Sequence, residues 1–486
     1  MDSKLKRTAV KGVGWAFFSS TAVRVIQVIT TLILAKLLAP DDFGVFALAA
    51  ISVNALILFR DLGFAQVLIY RQGDITQTAG TAFSLSLAAS FVMAVALAVS
   101  APALGHLLNS AHIVDPLRVM AAAVFVSGAA NVPLAMLDRE LKFRRRTVPE
   151  LGGAVANGCV AITLAAMGFG AWSMVLGWVA LEIAVTSLAL AVSLWRPRLS
   201  FDRRQAATVV GYGKHLMVAS LMTFAFFNID KLGVGKWLGE RNLGFYSLAF
   251  TVCNLPATNL SHVINRVMFP TYSKLQHELP AMRSAYLTTI RYISLAAFPA
   301  AVGVMVLADP VIRTFYSERW IPAIPAFRIL AVYGLVRSIG STTGAVFMSI
   351  GQPGIVSRIS LLQVALAAPL VYPMADRFGV TGVAVLFTIA YTMGSVYALH
   401  RVGRVLTIGV SDYASAVWVP LAAAGLAGVA AWTGFGRSVH AGMLSVAGTA
   451  LAVGAVYGAL IWILDRSSFR DVISLLALQG QGGRTQ

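Results

Sequence analysis

The chain has 486 residues, of which 58% are hydrophobic and only 12% charged. Soluble globular proteins carry about 25% charged residues, so this composition excludes a water-exposed surface over most of the chain. The net charge of +18 would suggest nucleic acid on a soluble protein, but the basic residues form no separate polar domain, and nucleic acid is excluded as a partner.

The apolar residues fall in blocks of about 20 between short polar connections, the length an α-helix needs to cross roughly 30 Å of hydrocarbon. Barrel strands would be about 10 residues long and would alternate; these blocks are longer and apolar on all sides. The spans fall at 13–37, 45–69, 79–101, 117–137, 148–169, 171–195, 212–237, 243–265, 288–308, 326–348, 354–375, 380–400, 414–434 and 441–464. The expectation is an all-α polytopic membrane protein of about 14 transmembrane helices. The first block follows Lys4, Lys6, Arg7 and Lys11, yet it is too long for the apolar core of a signal peptide and reads as a retained helix. The segment 270–287 is partly amphipathic and is expected along the cytoplasmic interface.

Charge sets the orientation. With the N-terminus inside, 25 Lys and Arg fall on inside segments and 8 on outside ones, so both termini are expected in the cytoplasm. The run from Arg139 to Arg146 reads as part of this bias rather than as a headgroup clamp. Cys159 and Cys253 lie in apolar blocks and read as small packing residues.

An internal repeat runs at an offset of 200 residues. TLILAKLLAPDDFGVFALA at 31–49 aligns with KLGVGKWLGERNLGFYSLA at 231–249, matching Lys36 to Lys236, Leu38 to Leu238 and Gly44 to Gly244. A later echo pairs Phe169-Gly170 with Phe378-Gly379. Six spans precede the repeat and both halves begin inside, so the halves run parallel, as in several transporters. The expected organisation is a six-helix lobe at 1–200, a second at 201–405, two extra helices at 406–465 and a cytoplasmic tail at 466–486.

Ionisable groups inside a span cost at least a few kcal/mol and mark function. Arg24 lies in the first span, Arg60 and Asp61 in the second, Glu182 in the sixth, Asp230 and Lys231 in the seventh, and Arg337 in the tenth. Arg24, Arg60, Lys231 and Arg337 are candidates for a cationic cavity that receives an anionic substrate such as a lipid-linked pyrophosphate, because guanidinium suits phosphate. Asp61 and Asp230 are coupling-ion or ion-pair candidates. The alternative is that these charges neutralise neighbours and tie helices together. Pro256, Pro299, Pro369 and Pro373 could serve as bends. No phosphate-binding glycine loop, metal-ligand spacing or nucleophile elbow occurs in the sequence. No cofactor, metal or catalytic residue is expected, and the chain is not read as an enzyme.

Seven stretches together resemble the polysaccharide-transporter family of oligosaccharide flippases, in its colanic-acid-exporter-like branch. They are LLAPDDFGVFAL (37–48), FRDLGFAQVLI (59–69), AMLDRELKFRR (135–145), NIDKLGVGKWLG (228–239), LGFYSLAF (243–250), RVMFPTYSKLQ (266–276) and SERWIPAIPAFRILA (317–331). The family shares a superfamily with multidrug exporters and lipid II flippases. The resemblance implies flipping of undecaprenyl-pyrophosphate-linked oligosaccharide units across the bacterial cytoplasmic membrane, for exopolysaccharide, capsule or lipopolysaccharide. It implies lipid-linked oligosaccharide and membrane lipids as partners, with a polymerase and chain-length regulator of the same pathway and proton or sodium coupling. By motif, Arg60 and Asp61 match the family's FRDLG, and Asp230 and Lys231 its NLDKLLIG. The rival readings are a drug/cation antiporter of the same superfamily, which would want acidic cavity residues, and a polysaccharide polymerase or ligase, which would want a larger outer loop.

Overall fold

The structure is a computed structural model. It describes residues 3–61, 68, 76–140, 142–352, 354–434 and 442–465. The side chains of 3–14, 16–18, 60, 61, 76, 204, 207–223, 259–267, 434, 443 and 444 lie outside that description, as does the tail from 466.

The described residues form helices joined by short turns, with no strand among them. In chain order the helices are α1 (Ser3–Leu37), α2 (Pro40–Asp61), α3 (Thr76–Leu107), α4 (Val114–Ser127), α5 (Asn131–Arg139), α6 (Phe143–Ala166) and α7 (Ala171–Val192). They continue as α8 (Arg203–Lys274), α9 (Leu279–Phe315), α10 (Ile324–Gly340), α11 (Thr343–Ser349), α12 (Gly354–Leu406), α13 (Val410–Gly434) and α14 (Met443–Leu464). Among the described residues, eleven helical segments are long and apolar enough to cross a membrane. One of them is α12, which breaks at Gly379 (φ 59°, ψ −147°) into two helices. The long α8 breaks in the same way at Gly239 (φ 85°, ψ 174°). Positive φ is nearly free for glycine and strained for other residues, so each break sits where the chain can turn sharply. With both broken helices taken as two, and α4–α5 and α10–α11 each as one, the described residues form fourteen helices, the number expected from the sequence, though neither half of α8 is among the segments long and apolar enough to cross a membrane.

The backbone carries the repeat further than the residues do. In the first half a 3-10 turn at Ala111–Ile113 leads into α4, which passes into α5 through a second one at Gly128–Ala130. In the second half the 3-10 turn Glu318–Ala323 leads into α10, which is separated from α11 by a turn at 341–342. Gly170, before α7, has φ 55° and ψ −135°, close to the values at Gly379. Prolines 256, 299, 369 and 373 lie inside helices that run on through them.

Contacts divide the chain into two compact units, Met1–Ser247 and Leu248–Gln486. In the first, α6 packs on α7 and α1, and α3 on α4. Small residues allow this: a Cβ on Gly177 of α7 would meet Ala161 of α6 at 2.7 Å, and one on Gly158 of α6 would meet Thr30 of α1 at 2.8 Å. Helices in lipid gain little from burying apolar surface against each other, so close backbone approach supplies the attraction. In the second unit α9 packs on α10 and α13, α10 on α12, and α13 on α14. Its core holds Tyr272, Met282, Tyr286, Ile290, Val346, Phe347 and Val402. The stretch expected along the interface is therefore built into the end of α8 and the start of α9, with Tyr272, Met282 and Tyr286 fully buried. Cys253 is buried and Cys159 exposed, both as free thiols. Exposed apolar side chains such as Val99, Leu361, Trp418 and Leu451 cover the outer faces, as lipid contact requires.

Candidate functional site

Asp230 and Lys231 lie on α8, nine and eight residues before the Gly239 break. Asp230 is 2% exposed. Burying a carboxylate in an apolar helix demands a donor, and one comes from beyond the break: the Tyr246 hydroxyl donates to Asp230 Oδ2 at 2.8 Å. Tyr246 is fully buried, and its ring places the hydroxyl at a distance that shorter polar side chains cannot reach. Lys231 is half-buried, with Nζ 3.4 Å from the Phe227 carbonyl oxygen one turn earlier. Adjacent residues on a helix point in different directions, so the carboxylate is held against α8's second half while the ammonium follows another face.

Arg24 is half-buried on α1, and Glu182 half-buried on α7. Arg60 and Asp61 form the end of α2, and their side chains lie outside the described residues. Arg337 belongs to the second unit, half-buried on α10. Its guanidinium donates to the Tyr333 hydroxyl at 3.5 Å. Tyr333 in turn meets the ring of Tyr391 from α12 at 5.0 Å and that of Phe250 at 5.5 Å. Sequence reasoning named the charges but not these tyrosines. The available signal was the phenol itself, since a Tyr in the middle of a span needs a partner for its hydroxyl.

The basic run has partners within the first unit. Arg139 donates to the Leu68 carbonyl at 2.6 Å, Lys142 pairs with Glu140 at 2.6 Å, and Arg144 lies over the ring of Trp15 at 5.8 Å. Arg146 sits between Asp138 at 3.4 Å and Glu150 at 3.2 Å, and Glu150 also accepts from Ser19 of α1 at 2.5 Å. These cations staple the ends of α1, α5 and α6.

Residues 33–325, more than half of the chain, match the family described as polysaccharide biosynthesis protein. The chain belongs to this family. Among curated relatives, the succinoglycan biosynthesis transport protein ExoT of Rhizobium meliloti is 25% identical over 371 residues, 76% of this chain and 75% of ExoT. The lipopolysaccharide biosynthesis protein WzxC of Escherichia coli is 23% identical over 422 residues, 86% of this chain and 85% of WzxC. Among solved structures, the lipid II flippase MurJ in an inward closed conformation superposes with a TM-score of 0.74 at 13% identity, covering 94% of this chain and 99% of MurJ. At that identity the likeness establishes the fold: a two-lobe arrangement of six helices each, followed by two more.

Proposed function

We propose that this protein is a flippase. It moves undecaprenyl-pyrophosphate-linked oligosaccharide units from the cytoplasmic to the outer leaflet of the bacterial cytoplasmic membrane, where they enter exopolysaccharide, capsule or lipopolysaccharide. The observation that carries this reading is the family match over 33–325. Relatives named for succinoglycan transport and lipopolysaccharide biosynthesis support it, as does the fold shared with a lipid II flippase. All three names concern glycans or glycan precursors, and transport asks for no catalytic group.

The lobes 1–200 and 201–405 rock against one another in alternating access. Helices at 406–465 stand outside that pair, the tail 466–486 lies in the cytoplasm, and both termini are inside. Arg24, Arg60, Lys231 and Arg337 bind the pyrophosphate, whose negative charge compensates cations held in a low-dielectric span. The polyprenyl tail stays in lipid. Asp230, with Asp61, carries the coupling proton or sodium ion. A polymerase and chain-length regulator take up the product.

The test is a leaflet-resolved assay in proteoliposomes, in which a lectin detects outward movement of a polyprenyl-pyrophosphate oligosaccharide. Protein-dependent movement that falls with Arg24→Ala supports the flippase and its cationic path. No movement with several glycans under either ion gradient overturns it.

A further inference from the structure

With each helix taken as one crossing, the chain order puts the ends of α1, α3 and the first half of α8 on one face of the membrane, opposite the start of α1. Three corners therefore meet that face, at 38–40, 108–113 and 239–240, all within the first unit. Glu240 follows the Gly239 break directly. Its carboxylate accepts a short hydrogen bond from Ser110 Oγ and lies 3.1–3.2 Å from His112 Nδ1. The same turn grips the α8 corner a second time: Asn109, in the left-handed region at φ 53°, donates Nδ2 to the Lys236 carbonyl at 3.1 Å. Ser110 is 3% exposed, so the hydroxyl end of its bond to Glu240 is shielded from water while the carboxylate is partly exposed.

The repeat meets itself at the same place. A Cβ on Gly44 would fall 1.8 Å from the Glu240 carbonyl oxygen, and a Cβ on Gly244 would fall 1.9 Å from the Pro40 carbonyl oxygen. Gly44 and Gly244 are partners in the repeat at an offset of 200, and so are positions 40 and 240. The contact is reciprocal, as a twofold relation demands. The two corners lie main chain on main chain, with Leu48 against Gly235 beside them. A contact of this kind has one good fit and loses it over a small displacement. The Glu240 carboxylate reinforces it.

We propose that Glu240, with Ser110 and His112, is the latch of this face: engaged, it closes the path there, and its release in each cycle lets the cargo leave. This rests on the alternating-access reading above. The three side chains touch no substrate; they act by positioning the α8 corner.

The experiment measures the corner directly, without a substrate. Spin labels are placed at Leu37→Cys and Trp237→Cys, exposed ends of α1 and of the first half of α8, in a Cys159→Ser background that removes the exposed native thiol. Pulsed electron-spin distances are compared with and without Glu240→Ala in nanodiscs. Losing hydrogen bonds to a charged group is expected to raise the population of long distances roughly tenfold, with Glu240→Gln intermediate because it keeps an acceptor for Ser110. An unchanged distribution in a Glu240→Ala protein that remains monodisperse overturns the latch. Should Glu240→Ala fail to fold, Leu37→Cys with Trp237→Cys, which keep Glu240, are bridged by a short bifunctional thiol reagent joined through reducible disulfides. Blocked transport that returns on reduction supports the latch, and transport at the unbridged rate overturns it. Distances that shift in a protein that moves no glycan leave the latch standing and count against the flippase reading alone.

Discussion

Asp230 shows how a single buried charge organises its surroundings. Its carboxylate is almost fully removed from solvent and is held by one phenol, Tyr246. Tyr246→Phe keeps the ring and deletes the donor, so it should lower stability in detergent by about 1–3 kcal/mol, read as a drop in melting temperature. Adding Asp230→Asn should recover part of that loss, because a neutral amide needs less compensation than a carboxylate. Lys231 carries a different expectation. Lys231→Ala should cut the initial rate of glycan movement about tenfold or more, while Lys231→Arg, which keeps the charge, should retain most of it. Equal rates in Lys231→Ala and the parent protein would remove Lys231 from the substrate path. The sequence exposed Asp230 and Lys231 through the cost of charge in an apolar block. It hid Tyr246, because the bond between positions 230 and 246 spans the Gly239 corner, and only the folded corner brings them together.

Among the helices, the glycines sort by what surrounds them. Ala in place of Gly usually favours a helix by up to about 1 kcal/mol. At Gly44 and Gly244 the added methyl would run into main-chain atoms, which cannot give way. Gly44→Ala and Gly244→Ala should therefore each destabilise by about 1–3 kcal/mol, whereas Gly454→Ala on α14, with nothing within 4 Å, should be neutral or slightly stabilising. Thermal melts of the three variants separate these outcomes. Repeat reasoning had already aligned Gly44 with Gly244. What made both glycines necessary, each other's corner, was visible only in the structure. The start of α13 gives a second contrast. Arg283 of α9 pairs with Asp412 at 2.7 Å, and Asp412 Oδ2 also accepts the Gly409 backbone N–H at 2.8 Å. Asp412→Ala loses both contacts and Arg283→Ala only one, so the first should lower the melting temperature more. The reverse order would mean that the cap contributes nothing.

Across the whole molecule, charge governs insertion and apolar surface governs where the helices stay. If the surplus of Lys and Arg on inside segments sets the topology, both ends lie in the cytoplasm. A green fluorescent reporter joined after Gln486 should therefore fluoresce and alkaline phosphatase there should be inactive; the opposite pair of results would reverse the orientation. α13 and α14 are tied to α9 by the Arg283–Asp412 and Arg291–Asp465 ion pairs and by the Tyr457 hydroxyl, which donates to the Leu295 carbonyl at 2.8 Å. Arg328 lies over Trp432 at 5.8 Å as well. Deleting 407–486 should leave Arg283 and Arg291 without their acids and lower the melting temperature of the rest of the chain, with no change if the extra helices only border it. By itself the sequence determined the class, the helical blocks, the parallel repeat and the identity of the charged residues. Each of those follows from a local quantity: block length against membrane thickness, loop charge, or the presence of an ionisable group. Partner choice was decided only by tertiary structure. Asp230 meeting Tyr246, Glu240 meeting Ser110 and His112, and Gly44 facing residue 240 all depend on distances between residues far apart in the chain. Those distances are set by how the helices pack, through close fits that an apolar pattern, nearly uniform around every helix, does not specify.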